Sequence, residues 1–160
     1  MFAAKRVLLL ILVVLSTLVV FLLAIFPPST RRVFQNQRRA VQSIRDINVA
    51  EHNYVVRYPD TGFACKLSDL GEHGSEPDEV GLLDKVLASG TKSYYHFEIQ
   101  CITSGDQKAT NYTITALPVA PGKTGTYALC SDQSGKIWYS ENGSAPDCLS
   151  MRKLIERKYE

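Results

Sequence analysis

Residues 93–103 read Ser-Tyr-Tyr-His-Phe-Glu-Ile-Gln-Cys-Ile-Thr, and their alternation decides the fold class. Tyr95, Phe97, Ile99 and Cys101 recur at period two and share one face, while His96 points away from it. That is the pattern of a strand with one face on a core. Downstream the same period returns over 111–120, with Tyr112, Ile114 and Ala116 on one face and Pro118 suited to a strand end. The turn Pro121-Gly122-Lys123-Thr124-Gly125 follows. Tyr127–Ser131 and Lys136–Ser140 then make a hairpin across Asp132-Gln133-Ser134-Gly135. The turn Ser104-Gly105-Asp106 joins the first two strands. Strands joined by short turns predict an antiparallel meander. The tail, Leu149–Glu160, reads as a short charged helix.

Upstream of residue 93 the period lengthens. Val80–Ala88 is a short helix with Leu82, Leu83, Val86 and Leu87 as its stripe, closed by Ser89-Gly90-Thr91. Before it, from the turn Tyr58-Pro59-Asp60-Thr61-Gly62 to Glu79, lies a loop region punctuated by Gly71, Gly74 and Pro77. From Ser29 or Thr30, either of which would cap a helix start, to about Tyr58 the pattern is helical. Phe34, Val41, Ile44, Ile47, Tyr54, Val55 and Tyr58 lie near one broad face, with Arg38, Arg39, Arg45 and Glu51 filling the rest. A helix on one face of an antiparallel sheet is an α+β arrangement.

Outermost is Val7–Phe26, VLLLILVVLSTLVVFLLAIF, in which only Ser16 and Thr17 interrupt the apolar run. At 1.5 Å rise per residue it spans about 30 Å, the thickness of a bilayer's hydrocarbon core. Its exit, Ala-Ile-Phe-Pro-Pro, lacks a small-x-small cleavage pattern, so the reading is an uncleaved transmembrane helix. Pro27 and Pro28 interrupt or kink the helix there. The expected layout is therefore a basic N-terminus over 1–6, a transmembrane helix over 7–26, an α+β domain over 27–148 and a charged tail over 149–160. The part beyond the anchor is about 130 residues, one small domain.

The net charge of +2 selects no partner, and nucleic acid is not expected. The distribution says more. Arg31, Arg32, Arg38, Arg39 and Arg45 all precede the first acid, Asp46, as a basic collar suited either to anionic headgroups or to a solvated helix face. Counting cations at the two ends of the anchor, Lys5 and Arg6 against that collar, would place the domain in the cytoplasm. The four cysteines, Cys65, Cys101, Cys130 and Cys148, argue for an exported, disulfide-bonded domain, with three pairings open. No C-x-x-C spacing and no nearby histidine supports zinc.

No motif of an enzyme occurs. His52, His73 and His96 are scattered over a helix, a loop and a strand and read as solvated. Asp106, Asp132, Glu141 and Asp147, in or beside turns, are the only set that would suit calcium, without a ligand spacing. Otherwise no metal or cofactor is expected. Tyr94, Tyr95, Trp138 and Tyr139 would form an aromatic patch, half of it core by strand alternation. Asn111 and Asn142 each head an N-x-Ser/Thr sequon.

Three stretches carry a family resemblance: Arg39–Tyr54 (RAVQSIRDINVAEHNY), residues 82–99 (LLDKVLASGTKSYYHFEI, preceded by Phe63) and residues 112–139 (YTITALPVAPGKTGTYALCSDQSGKIWY). Together with the order of elements they resemble type IV pilins and, more closely, a subgroup of type II secretion pseudopilins, from about Pro27 to Gly143. The resemblance implies a long N-terminal helix packed on a small antiparallel sheet, and a single-pass protein of the inner membrane with its domain periplasmic or extracellular. It implies a structural or accessory role in a secretion or pilus-like system, with membrane lipid and secretion-system subunits as partners. It also implies a bridge Cys130–Cys148, leaving Cys65–Cys101. The departures lie at the N-terminus. With the family's helix proline set on Pro28, the glycine cut by the prepilin peptidase falls on Arg6 and the helix glutamate on Ile11. Lacking both, the chain is expected to stay uncleaved and not to polymerise as a standard subunit. The alternative is a membrane-tethered binding or sensor module built on the same fold.

Overall fold

In the computed structural model helix α1 spans Phe2–Ile25 and helix α2 spans Pro28–Arg57. Ser29 and Thr30, expected as caps of a helix start, are helical within α2. Phe26 and Pro27, on which the expected interruption falls, lie outside the described residues. The structure describes the backbone of 2–25, 28–71, 81–103 and 108–155, and the side chains of 5–21, 29–71, 81–103 and 108–155. The chain divides into two units, residues 1–32 and 33–160.

In the first unit, α1 is apolar around its whole circumference. Ser16 and Thr17 donate their hydroxyls back to the carbonyls of Val13 and Val14 at 2.8 and 2.9 Å, so neither interrupts the helix. The apolar side chains from Val7 to Phe21 are all exposed by half or more. Among the described residues no helix is long and apolar enough to cross a membrane. The described side chains of α1 run from 5 to 21, about 26 Å of helix against a hydrocarbon core of about 30 Å.

In the second unit, α2 buries Ala40, Val41, Ile44, Ile47 and Ala50, spaced at three and four residues as one helical face requires. Phe34 and Tyr58, assigned to that face by period, sit near its ends and are exposed. A 3-10 turn follows at Leu67–Leu70, and helix α3 at Lys85–Ala88. The helix expected over Val80–Ala88 is shorter because Asp84 is its N-cap. Its backbone is extended and its carboxylate accepts from the amides of Val86 and Leu87, both at 3.1 Å. Gly74, Pro77 and Val80 lie outside the described residues, as does the turn at 104–106.

Among the described residues the sheet has six antiparallel strands in sequence order: β1 (Thr91–Lys92), β2 (Tyr95–Ile102), β3 (Asn111–Pro118), β4 (Ala128–Asp132), β5 (Ile137–Ser140) and β6 (Lys153–Leu154). Its register sets Phe97 opposite Ala116, Ile99 opposite Ile114 and Ala116 opposite Leu129, and these residues share one core with the α2 face. Leu67, Leu70, Leu83 and Leu87 belong to the same core. The two edge strands, of two residues each, were not expected; edges this short leave little backbone unpaired.

The tail also differs from its expected short helix over Leu149–Glu160. Helix α4 spans Ala145–Met151, started by Ser144, whose hydroxyl accepts from the Asp147 amide at 3.3 Å. Arg152, at φ 50°, then turns the chain back, and β6 pairs with Trp138 and Tyr139. Most of the charge read into that helix lies beyond α4. Residues 156–160 are outside the described set.

Gly125 has a direct packing reason. A Cβ there would overlap the phenol of Tyr95, which is fully buried with its hydroxyl donating to the Tyr127 carbonyl at 3.2 Å. Gly125→Ala is expected to destabilise the domain by about 1–3 kcal/mol, read as a lower urea midpoint with unchanged slope.

Candidate interaction surface

Helix α2 meets the sheet through polar pins as well as apolar contacts. At its start in the second unit, Asn36 donates to the Thr124 carbonyl at 2.9 Å, and Gln37 accepts from the Thr126 amide at 2.8 Å. Further along, Asn48 accepts from the Tyr112 hydroxyl and donates to Ser131 Oγ, both at 2.9 Å. Ser131 in turn donates to the Lys136 carbonyl at 2.9 Å. Such pins fix where the helix lies along the sheet, because a slip would strand buried polar groups. Burial raises the Tyr112 hydroxyl above its ordinary pKa, and the negative charges of Glu51 and Asp132 add to it.

Glu51 contradicts its assignment to the solvated face. It is wholly buried; Oε2 accepts from the Ala64 amide at 2.9 Å, and Oε1 has no partner among the described residues. Burial pushes its pKa up from 4.5 to about 7, with the Ala64 hydrogen bond opposing and the charge of Asp69 assisting. Position 51 lies four residues after Ile47 and three before Tyr54, so the stripe itself placed it inside, and the residue type hid this. Tyr54 is raised too, first by burial and then by Asp69.

The opposite side of α2 is cationic. Gln35, Arg38, Arg39, Gln42 and Arg45 are exposed, and with Val41 they line a shallow open depression of about 610 Å³. None of these three arginines makes an ion pair among the described residues. The neighbouring acid, Asp46, accepts instead from Gln42 at 2.9 Å. Arg38 lies over the Phe34 ring at 5.9 Å. Arg31 and Arg32 belong to the first unit and are exposed there.

Two disulfides staple the second unit. Cys65–Cys101 has its Cα atoms 5.2 Å apart and ties the loop after α2 to β2. Cys130–Cys148, at 6.0 Å, ties β4 to α4 within a small second core with Trp138, Leu149 and Leu154. Both cysteines of the second bridge are fully buried, whereas Cys65 is exposed.

The remaining candidate side chains are dispersed. His52 and His96 are exposed, His96 Nδ1 lying 3.1 Å from the Thr91 hydroxyl, and His73 is outside the described residues. Asp132 accepts from the Ser134 amide at 2.8 Å and pairs with Arg152 at 3.5 Å. Asp147 is bonded to Asn142, whose carbonyl also takes the Ser140 hydroxyl. Asp106 is outside the described set. Among the described residues no group of three or more His, Cys, Asp or Glu is placed to hold a metal ion. The aromatic patch does not form. Tyr94 alone of the four is well exposed; Tyr95 is core, Trp138 is covered by Arg152 at 4.9 Å, and Tyr139 packs on Tyr127 at 5.3 Å. Asn111 is half-buried within β3.

These features define an α+β protein with a helix-backed, disulfide-stapled antiparallel sheet and an apolar N-terminal helix. No family model matches the sequence, and comparison with curated proteins and with solved structures gave no match.

Proposed function

We propose that the chain is a membrane-anchored, pilin-like structural or accessory protein of a type II secretion or type IV pilus-like system, acting by protein–protein contacts without catalysis or cofactor. The observation that carries this reading is α1: a helix of 24 residues whose described apolar side chains are exposed throughout. Exposed apolar surface on that scale needs a partner, lipid or another helix. The apolar run of the sequence, Val7–Phe26, supports reading the segment as a span by its length. The disulfides support placing the domain on the periplasmic or extracellular side of the inner membrane. Arg31 and Arg32, directly after the anchor, then meet anionic headgroups, and the Arg38–Arg39–Arg45 face of α2 is left for acidic groups on a partner subunit.

The second reading, a tethered binding or sensor module, is favoured by Arg6 and Ile11 standing where the pilin family has its cleavage glycine and helix glutamate. A photoreactive amino acid at Leu10 or Val14 separates the two in cells that carry the secretion machinery. Crosslinks from α1 to pilin-like subunits support the accessory role. Crosslinks to lipid alone, at both positions, would replace it with the tethered module.

A further inference from the structure

The exposed side of α2 carries a second periodic stripe. Arg38, Gln42, Arg45, Val49, His52 and Val56 are all exposed, and they follow one another at steps of four, three, four, three and four. This alternation keeps side chains on one line along a helix, about 27 Å from Arg38 to Val56 at 1.5 Å per residue. It is the spacing at which one helix meets another. The whole stripe lies within the second unit.

The stripe has two unlike halves. In the first, Arg38 and Arg45, with Arg39 beside them, line the open depression of about 610 Å³ together with the buried Val41. The two acids of α2 do not offset these cations. Asp46 is half-buried and accepts from Gln42, and Glu51 lies in the core. In the second half Val49 and Val56, one heptad apart, are 61% and 71% exposed.

We propose that this stripe docks one helix of a partner protein, with carboxylates facing Arg38, Arg39 and Arg45 and aliphatic side chains facing Val49 and Val56. Guanidinium groups take carboxylates bidentately, and a helix presents its carboxylates at the matching three- and four-residue steps. The inference deepens the partner-subunit contact proposed above and rests on that reading. A second copy of the chain does not fit. Two copies packed through the stripe would set Arg38 and Arg45 against arginines or valines, with no acid to answer them. A lipid surface fits poorly too, because a helix lying on a bilayer carries its cations along a polar face beside a continuous apolar one. On α2 the cationic and the aliphatic residues lie end to end on one line.

Its test uses the full chain in phosphatidylcholine nanodiscs, titrated by fluorescence anisotropy with a labelled synthetic peptide of about three heptads. The probe is helical, with glutamates along one half of a face and leucines along the other. One control carries lysines for the glutamates, and a second keeps the composition but is broken by two prolines. The wild type is expected to bind the acidic helix, and both controls at least about tenfold more weakly. Arg38→Glu with Arg45→Glu is expected to lose at least about tenfold in affinity for the acidic helix and to gain the lysine peptide. Val49→Ser with Val56→Ser is expected to lose about tenfold as well. Retention of both disulfides and of the thermal transition confirms each fold. No binding of the acidic helix, equal binding of the proline-broken peptide, or an arginine variant that binds as the wild type does would overturn the proposal. Dimers that the arginine variant abolishes would assign the stripe to a second copy and overturn it. A peptide displaced when the discs carry phosphatidylglycerol would assign the stripe to headgroups, with the same consequence. A chain that stays outside the discs contradicts the anchored reading instead, and the same titration in detergent then decides the docking.

Discussion

Glu51→Gln is expected to stabilise the domain by about 3 kcal/mol at about pH 8 and to leave it unchanged near pH 4. In the unfolded chain this carboxyl titrates at 4.5, in the folded domain at about 7. Between those values the folded state keeps a proton that the unfolded state has released. Stability is therefore full below about pH 4.5, falls through the window and reaches its lowest level above about pH 7. The cause is local: Oε1 is wholly buried without a partner among the described residues, so an ionised carboxylate there loses hydration that a single bond to the Ala64 amide cannot replace. Glutamine keeps an oxygen for that amide and resembles the protonated acid, which is why the two proteins converge in acid. Urea titrations of both across the pH range decide it. Parallel profiles would mean that Glu51 is solvated in the folded protein.

Removing the Cys130–Cys148 bridge as a double alanine variant is expected to cost about 3–5 kcal/mol. Closing a loop of 18 residues accounts for about 3 kcal/mol in the chain-entropy picture. The remainder comes from packing, since both sulfurs sit in the core that docks α4 on the outer side of β4 and β5. Loss of that docking should also release β6, whose partners are Trp138 and Tyr139. Hydrogen exchange should show 145–155 losing protection ahead of β2 and β3. A variant equal in stability to the wild type would show that α4 holds by apolar contact alone. The Cys65–Cys101 bridge contrasts with it: Cys65 is exposed, so a mild reductant without denaturant should open this bridge first.

The strands and α2 were legible because their signal is periodic. Tyr95-Phe97-Ile99 and Tyr112-Ile114-Ala116 alternate without a gap, and both sets are buried on the core side of the sheet. Where a single residue decides the outcome, the sequence misled. Glu51 sits on the buried stripe of α2, although its charge suggests the polar face. Asp84 falls within the helical pattern of 80–88 but caps the first amides of α3 from outside. The charges of the tail suggest a helix over Leu149–Glu160, whereas the Ser144–Asp147 cap and the bridge at Cys148 place α4 earlier and leave the chain free to return as β6. The cysteine count implied bridges, but choosing among three pairings needs Cys101 beside the 63–65 loop and Cys130 beneath α4, a tertiary fact. The cationic face of α2 is visible in the sequence as a run of arginines, and its lack of acidic partners among the described residues is visible only in the structure, with Asp46 turned to Gln42.

The most direct test of an anchored, exported domain is thiol alkylation of the protein in carbonate-washed native membranes, with and without prior reduction, read by intact mass. The expected result is a protein retained in the membrane pellet, with no thiol modified before reduction and all four of its cysteines modified after it. Four modified thiols without reduction, or a protein washed off the membrane, would contradict the account.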